Sequence, residues 1–487
     1  MNEILNLDPR EVWRQFVDIC QVPRPSKKEG KIIKFLEDFA STHGLERHTD
    51  AAGNVLIRKP ATPGMEHLQT VVLQSHMDMV CEKNSDVQHN FDTDAIVPYL
   101  DGGWVRAKGT TLGADDGIGM AAELAILASS SVKHGPIECL FTVDEETGLT
   151  GAFEMQPGFF SGKILLNLDS EDDGELFIGC AGGVDTLATF AHSTEPVPVD
   201  YAAVCIAVRG LLGGHSGDDI NKNRGNAVKL LTRLVWEAAQ RFGLRIAQID
   251  AGNLRNAIAR EGYVVGVLPQ SKRDEALNCL EALRSDIVAE WSDVEPSLSI
   301  AIESSDMPAW VLDQASQRNL LNALYACPHG VMAMSRSLQG LVETSTNLAS
   351  VKMLEGNRIQ VTTSQRSSVD TAKVDIANMV ESVFLLAGAD VVHSDGYPGW
   401  APNTDSEILR IMRDSYKQLF GEEPIVRAIH AGLECGLFLE KFPGLDMISF
   451  GPTLRGVHSP DEKIDVATTQ KFWKLLLDVL TRIPKRC

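Results

Sequence analysis

The sequence has few cysteines, and their spacing gives them no joint role. Its 9 cysteines among 487 residues are odd in number and scattered, without a C-x-x-C pair. This pattern argues against both a disulfide framework and a thiolate zinc site, and it suits a reducing cytoplasm. Any metal would have to be bound by histidines and carboxylates.

Long apolar runs and a surplus of positive charge are also missing. No apolar segment is long enough to span a bilayer, and the N-terminal MNEILNLDPREVWRQF has no basic region followed by an apolar stretch, so we expect no secretory signal. The 66 acidic residues against 45 basic ones give a formal charge of -21, which would repel nucleic acid and anionic membranes. We therefore expect a cytoplasmic protein that binds neither nucleic acid nor membrane.

The length and the order of predicted elements indicate two domains. A chain of 487 residues exceeds what one core normally supports. Short apolar strands alternate with helical stretches from about residue 50 to residue 185, which predicts an α/β domain whose mixed, mostly parallel sheet is flanked by helices. The proline-containing stretches AHSTEPVPVDY and SDGYPGWAPN interrupt this pattern, which resumes after the second. We predict one domain from residues 1–185 and 399–487, and an inserted α+β domain at 186–398.

The inserted part shows a second regularity. An order of helix, strand, turn and strand recurs from QASQRNLLNALYAC to RIQVTTSQRSS, which hints at an internal duplication.

Polar side chains collect at the ends of the strands and in the loops of the α/β part. In open α/β sheets, ligands bind outside the carboxyl ends of the strands. Taken singly, each residue has an ordinary explanation, because His-x-Asp pairs are common and adjacent acids usually form a solvated loop. Together, buried carboxylates this close would repel one another unless a cation neutralised them. The residues are His76, Asp78, Asp115, Asp116, Asp144, Glu145, Glu146, Asp169 and His458.

This combination of side chains predicts which metal ions bind and that they serve a hydrolytic reaction. Two imidazoles and several carboxylates suit Zn²⁺ and would also accept Co²⁺ or Mn²⁺. The oxygens suffice for two ions that share a bridging carboxylate. A hydrolase also needs a base that is not a ligand, and the consecutive glutamates of VDEETG allow one to bind metal while the other takes a proton. Asp78, on the same strand face as His76, would orient its ring.

Several blocks of the sequence resemble a family of dizinc peptidases and deacylases. The family includes glutamate carboxypeptidase, acetylornithine deacetylase, tripeptidase and aminoacyl-histidine dipeptidase. The matching blocks occur in the family's order and span most of the predicted α/β domain. They are SHMDMV, TTLGADDGIGMA, TVDEETGLTGA, LLNLDSED and GVHSPDE, with GLLGGHSGDDI in the inserted domain.

The resemblance implies a role for each metal-site residue. One zinc ion would be held by His76 and Asp169 and the other by Glu146 and His458, with Asp115 bridging both. A zinc-bound hydroxide would attack the peptide carbonyl.

The resemblance also implies catalytic roles outside the metal ligands. Asp78 would orient His76, and Glu145 would be the general base and then the proton donor to the leaving amine. The inserted domain would be a lid and the surface of a homodimer. It would bring His215 over the scissile carbonyl, often from the partner subunit, to stabilise the oxyanion. The peptide between Asp115 and Asp116 is typically cis in this family.

Three further residues match positions that hold the substrate's C-terminal carboxylate in the family. They are Asn256, Arg366 and Gly432. A guanidinium can grip a carboxylate through two hydrogen bonds, although an arginine on a strand is more often a surface residue.

The residues of the motifs and the length of the inserted domain differ between branches of the family. GADDGIG departs from the D-x-K-G pattern of the deacetylases and carboxypeptidases, and the long inserted domain exceeds that of a tripeptidase. The sequence resembles the aminoacyl-histidine dipeptidases, which cleave a broad range of dipeptides including β-alanyl-histidine. The alternatives are a tripeptidase or an N-acyl amino acid deacylase of the same family, and a metal-binding scaffold without activity.

Overall fold

The computed structural model describes residues 3–486, which form two compact units. The first unit contains the residues up to Gly179, Pro402–Ala428 and the residues from Leu433 onward. The second contains Cys180–Ala401 and Ile429–Gly432. The catalytic and lid roles expected for the two parts of the chain stay predictions.

The helices of both units are numbered in chain order. The α-helices are α1 Arg10–Cys20, α2 Gly30–Thr42, α3 Ala114–Ala128, α4 Glu145–Gly148, α5 Thr150–Glu154, α6 Ala227–Phe242, α7 Arg273–Trp291, α8 Gln314–Ala326, α9 Asp370–Leu386, α10 Glu407–Phe420, α11 Glu434–Lys441 and α12 Val466–Arg482. Short 3₁₀ helices occur at Ile4–Asn6, Ile220–Lys222 and Gln270–Lys272.

The strands are numbered in the same way. They are β1 Glu46–Thr49, β2 Val55–Lys59, β3 Val71–His76, β4 Pro98–Asp101, β5 Trp104–Ala107, β6 Ile137–Thr142, β7 Ile164–Asn167, β8 Glu175–Cys180, β9 Gly182–Ala191, β10 Thr194–Pro196, β11 Tyr201–Arg209, β12 Arg245–Gly252, β13 Gly262–Pro269, β14 Ser299–Ser304, β15 Trp310–Leu312, β16 Gly330–Met334, β17 Val342–Leu354, β18 Arg358–Ser367, β19 Asp390–His393, β20 Ile425–Ile429, β21 Asp446–Ser449, β22 Leu454–Arg455 and β23 Lys463–Asp465.

An eight-stranded sheet of order β1-β2-β6-β3-β7-β21-β8-β20 lies at the centre of the first unit. Its middle strands β6, β3, β7 and β21 are parallel neighbours, whereas β1 pairs with β2 and β2 with β6 in antiparallel fashion. Every residue of β3, β6 and β7 is buried. Parallel strands covered on both faces read as continuous apolar runs, which is the pattern that predicted them. The expected mixed sheet is confirmed, with its parallel part in the middle.

Helices cover this sheet. α3 lies against β3 and packs on α1, and α10 packs on α12 and β21. The segment GADDGIGMAAELAILA forms α3, whose side chains are almost entirely buried. A separate sheet of order β22-β23-β5-β4 completes the first unit.

The second unit contains a nine-stranded antiparallel sheet with an internal repeat. Its order is β14-β11-β13-β12-β17-β18-β9-β19, with β16 paired to β17. The elements β11-α6-β12-β13-α7-β14 and β9-α8-β17-β18-α9-β19 each follow the order strand, helix, strand, strand, helix, strand, with the first and third strands in the centre. The second strands, β12 and β17, pair and join the halves. The predicted duplication is therefore seen in the topology.

The structure also bears on disulfide bonds and on membrane-spanning helices. Within residues 3–486 the cysteines form no disulfide bond. Across the same described range, none of the helices combines the length and the apolar character needed to cross a membrane.

Candidate metal centre

Three neighbouring parallel strands bring predicted site residues to one edge of the sheet. His76 is the last residue of β3, Asp169 follows β7, and Glu145 and Glu146 open α4 after β6. Because β6, β3 and β7 run parallel, their carboxyl ends lie side by side. The sheet thus brings together residues that are distant in sequence.

Two further predicted ligands come from irregular backbone. Asp115 lies in the first turn of α3 with non-helical angles, and its peptide bond to Asp116 is cis, as the family resemblance implied. His458 lies in the turn between β22 and β23 with a left-handed φ of 59°.

The side chains form two groups that share one aspartate. In the first, Nε2 of His76 lies 3.0 Å from Oδ1 of Asp115 and 3.5 Å from Oδ1 of Asp169. In the second, Nε2 of His458 lies 3.2 Å from Oδ2 of Asp115 and 2.9 Å from Oε2 of Glu146. Each set offers ligand atoms close enough to hold one metal ion. The two oxygens of Asp115 face different imidazoles, which is the geometry of a bridging ligand.

The electrostatics of the cluster favour positive charge at the imidazole positions. Hydrogen bonds to Asp115 and Glu146 raise the pKa of His458 to about 11. Burial lowers the pKa of His76, but the nearby carboxylates outweigh it and the net pKa is well above its usual value. Burial raises the pKa of Asp169 to about 7. A metal ion at each group would supply the same positive charge.

The donor set fits divalent cations. The two groups supply imidazole nitrogens and carboxylate oxygens without a thiolate, which suits Zn²⁺, Co²⁺ or Mn²⁺. Oε1 of Glu146 is buried and has no hydrogen-bond partner among the described residues. A cation bound there would satisfy this buried carboxylate oxygen.

Asp78 contacts more parts of the site than the sequence predicted. It was placed on a strand with His76, but β3 ends at His76 and Asp78 lies beyond it. Its carboxylate still lies 3.4 Å from Nδ1 of His76. It also accepts hydrogen bonds from the Ser26 hydroxyl at 2.7 Å and from the backbone N–H groups of Glu145 and Glu146 at 3.1 and 3.3 Å. Asp78 therefore holds the turn that carries the two glutamates and lies beside the ring of His76.

Glu145 differs from its neighbour in its surroundings. Its side chain lies close to His76 and Glu146, and burial raises its pKa well above the usual value. A carboxylate with a raised pKa, placed beside the predicted metal ligands, is suited to accept and return a proton.

A third acidic group beside the site is already satisfied by protein donors. It consists of Glu29, Asp78 and Asp144, all buried. Glu29 accepts the N–H groups of Lys27 at 2.7 Å and Asp144 at 3.1 Å, and Asp144 accepts from two threonine hydroxyls. These contacts brace the turn that leads to Glu145.

His215 and the three residues predicted to bind the substrate's carboxylate all lie in the second unit, where hydrogen bonds and close approaches connect their segments. The N–H of Ser216, next to His215, donates to the carbonyl of Asn256 at 2.8 Å. Arg366 donates to the Tyr397 hydroxyl at 3.1 Å. A Cβ added at Gly432 would lie 2.8 Å from the Tyr397 ring, so glycine is required there by close approach.

This part of the second unit contains a buried cation, Arg366. Arg366 is 7% exposed, its Nε has no hydrogen-bond partner, and it forms no salt bridge with any residue between 3 and 486. Burial, and next the charge of Arg366, lower the pKa of His215 and bring that of His430 to about 3. A buried guanidinium without a carboxylate favours an anionic ligand.

Sequence reasoning missed several residues around these sites. In the second unit they are Tyr397 and His430, whose Nε2 lies 2.7 Å from the Ser345 hydroxyl. Tyr397 lies in a glycine- and proline-containing stretch that was interpreted as a boundary, so no local signal marked it. In the first unit Glu462 was missed, although it is the last residue of the block GVHSPDE. Arg24 was also missed, because it lies in none of the matching blocks.

The chain matches known proteins along its whole length. The model of peptidase family M20/M25/M40 matches residues 72–482. A cytosol non-specific dipeptidase of Escherichia coli (strain K12) is 40% identical over 486 residues, covering 100% of both chains. The crystal structure of an aminoacylhistidine dipeptidase from Vibrio alginolyticus has 45% identity and a TM-score of 0.94, with 100% of both chains covered.

A more distant structure shares the fold. An aminopeptidase PepT from Bacillus cereus has 16% identity and a TM-score of 0.58, and the match covers 98% of this chain and 99% of that one. From the family match and the full-length identity, this chain belongs to peptidase family M20/M25/M40.

Proposed function

We propose that this protein is a zinc-dependent dipeptidase of broad specificity that cleaves aminoacyl-histidine dipeptides, including β-alanyl-histidine. The observation that carries the proposal is the pair of ligand groups that share Asp115, with Glu145 beside them. The full-length similarity to a protein named cytosol non-specific dipeptidase and to another named aminoacylhistidine dipeptidase supports the choice of substrate.

The cofactors in this proposal are two zinc ions per chain, for which Co²⁺ or Mn²⁺ can substitute. His76 and Asp169 would hold one ion, Glu146 and His458 the other, and Asp115 both. When bound, such ions acidify a water molecule and polarise the peptide carbonyl.

Glu145 is the proton carrier in this proposal. Its carboxylate would take the proton from the attacking water and deliver it to the leaving amine nitrogen. Asp78 accepts a hydrogen bond from the backbone N–H of Glu145 and so fixes the backbone position from which the Glu145 side chain extends. The raised pKa of Glu145 suits both the removal and the return of a proton.

Arg366, Asn256 and Gly432 would bind the substrate's C-terminal carboxylate, and His215 would stabilise the oxyanion. The support is the buried, unpaired guanidinium of Arg366 and the connection of these segments within the second unit.

Arg366→Ala is expected to lower kcat/KM for a dipeptide by about 10–150-fold, mainly through KM, because a charged hydrogen-bonded pair contributes about 1.5–3 kcal/mol. The same variant should lose little on a dipeptide whose C-terminus is amidated. Arg273→Ala, which removes an arginine from α7 in the same unit, is the matched control and should behave as the native protein. Equal losses on the acid and the amide would contradict the carboxylate role.

The proposed function is tested by metal removal and substrate comparison. The protein is chelated, restored separately with zinc, cobalt and manganese, and assayed on β-alanyl-histidine, a tripeptide and an N-acetyl amino acid. We expect activity to vanish on chelation, to return with zinc, and to be highest on the dipeptide. Preference for the tripeptide or the acylated amino acid would favour the corresponding alternative, and no hydrolysis after reloading would favour a metal-binding scaffold.

We also propose a cytoplasmic homodimer that pairs through the second unit. β19 is an edge strand of the nine-stranded sheet, and exposed apolar side chains lie on β19 and the adjacent α9, among them Val392, Val374 and Leu386. Edge strands with apolar neighbours favour pairing with another chain. Light scattering coupled to size exclusion should give twice the chain mass of 53.1 kDa.

A further inference from the structure

The backbone leading to Asp115 is held by a single buried carboxylate. Glu462 is 2% exposed. Its Oε2 accepts the N–H groups of Leu112 at 2.7 Å and Gly113 at 2.9 Å. Its Oε1 accepts those of Ala114 at 2.7 Å and Asp115 at 3.3 Å. An ionised carboxylate has about four lone-pair sites, so these donors use all of its hydrogen-bonding capacity.

A buried arginine holds the same backbone through a carbonyl group. Arg24 is 3% exposed and donates from Nη2 to the carbonyl of Gly113. From Nη1 it donates to the carbonyls of Met77 at 3.1 Å and Asp78 at 2.5 Å, just past the end of β3. The guanidinium therefore ties the turn before Asp115 to the segment that follows His76.

These two side chains link the segments of three proposed ligands. Arg24 connects the chain after His76 with the chain before Asp115. Glu462 connects the chain before Asp115 with its own segment, in which His458 lies four residues earlier. All of these contacts lie within the first unit. None of them requires a metal ion, so they act on the metal-free protein as well.

We propose that Glu462 and Arg24 are positioning residues that hold Asp115 in its bridging orientation before the metal ions bind. This inference rests on the proposed ligand role of Asp115. Partners outside the ligand set fix the orientation of ligands, and losing one typically weakens metal binding by about 10–100-fold. Glutamate is needed at 462 because glutamine would turn an NH₂ group towards backbone N–H donors.

The test uses the full chain and two readouts besides activity. Zinc affinity of the chelated protein is measured by competition with a chromophoric chelator, and hydrogen exchange is measured on the metal-free protein at residues 112–115. For Glu462→Gln we expect a zinc affinity about 10–100-fold weaker and faster exchange at these amides. Arg24→Lys should shift both readouts in the same direction, because a lysine cannot reach all three carbonyl groups in the fork geometry of a guanidinium.

Glu138→Gln is the matched control. Glu138 is also 2% exposed, lies in the same unit, and accepts the N–H groups of Ser161 and Gly162, each at 2.8 Å. It lies on β6 away from the ligand groups, so this variant should keep the native zinc affinity and the native exchange at residues 112–115.

Three results would overturn the inference. The first is native zinc affinity and native exchange in both Glu462→Gln and Arg24→Lys. The second is an equal loss of zinc affinity in Glu138→Gln, since general destabilisation would then explain the effect. The third is rapid exchange of amides 112–115 in the metal-free native protein, a measurement that decides even when a variant does not fold. A native protein that binds no zinc would instead overturn the proposed metal role, and the zinc titration separates that failure from the others.

Discussion

Asp115→Asn is expected to leave the protein unable to hold its pair of metal ions and without measurable dipeptide hydrolysis. The two oxygens of Asp115 face different imidazoles, at 3.0 Å and 3.2 Å. An amide offers one oxygen and one NH₂ group, so it cannot ligate on both sides. The loss should exceed the 10–100-fold typical of a partner outside the ligand set. Metal content after dialysis, measured by mass spectrometry together with activity, checks the result.

Asp173→Asn is the control for this prediction. Asp173 also belongs to the first unit, and its carboxylate pairs with Lys471 at 2.6 Å instead of lying in a ligand group. The control should retain both metal ions and full turnover. An Asp115→Asn protein that still binds two ions would remove the bridging role.

Glu145→Gln is expected to keep both metal ions but to lose about 10²–10⁴-fold in kcat, the usual contribution of a general base. The carboxylate of Glu145 is proposed to move a proton and not to bind metal, so KM should change little. The adjacent Glu146→Gln makes the same chemical change at a proposed ligand and should lose metal. Steady-state kinetics and metal analysis on the two variants give the comparison.

Two results for the Glu145→Gln and Glu146→Gln variants would contradict the role of Glu145. A Glu145→Gln protein with normal kcat would exclude Glu145 as the base. Loss of metal from Glu145→Gln to the same extent as from Glu146→Gln would mean that both glutamates are ligands.

The family, the fold class and the grouping of the site residues could be predicted from the sequence. The apolar runs of β3, β6 and β7 are buried on both faces, which predicts parallel strands, and parallel neighbours end at one edge. The distances around His76, Asp115 and His458 agree with the grouping implied by the motifs. The role of each residue stays a prediction.

The residues that support the site could not be predicted, because their contacts are distant in sequence. Glu462 holds the N–H of Leu112 across 350 positions, and Arg24 holds the carbonyl of Gly113 across 89. No periodicity or local motif encodes such contacts. A glutamate at the end of a matched block and an arginine in a short loop resemble ordinary surface residues until the fold is known.

The repeat in the second unit shows a similar limit. The sequence hinted at a duplication from the order of helices and strands, and the topology contains it. Its halves are not consecutive, however, because β9 of one half precedes all of the other. Strand pairing across such an insertion depends on contacts between distant segments, which local patterns do not specify.

The central claim is that one pocket holds two cations that share Asp115. Crystals of the zinc-loaded protein, measured on both sides of the zinc absorption edge, test it most directly. We expect two anomalous peaks about 3.5–4 Å apart, one beside His76 and Asp169 and the other beside Glu146 and His458, with Asp115 touching both. A single peak, or a pair of peaks that does not include Asp115, would contradict this account.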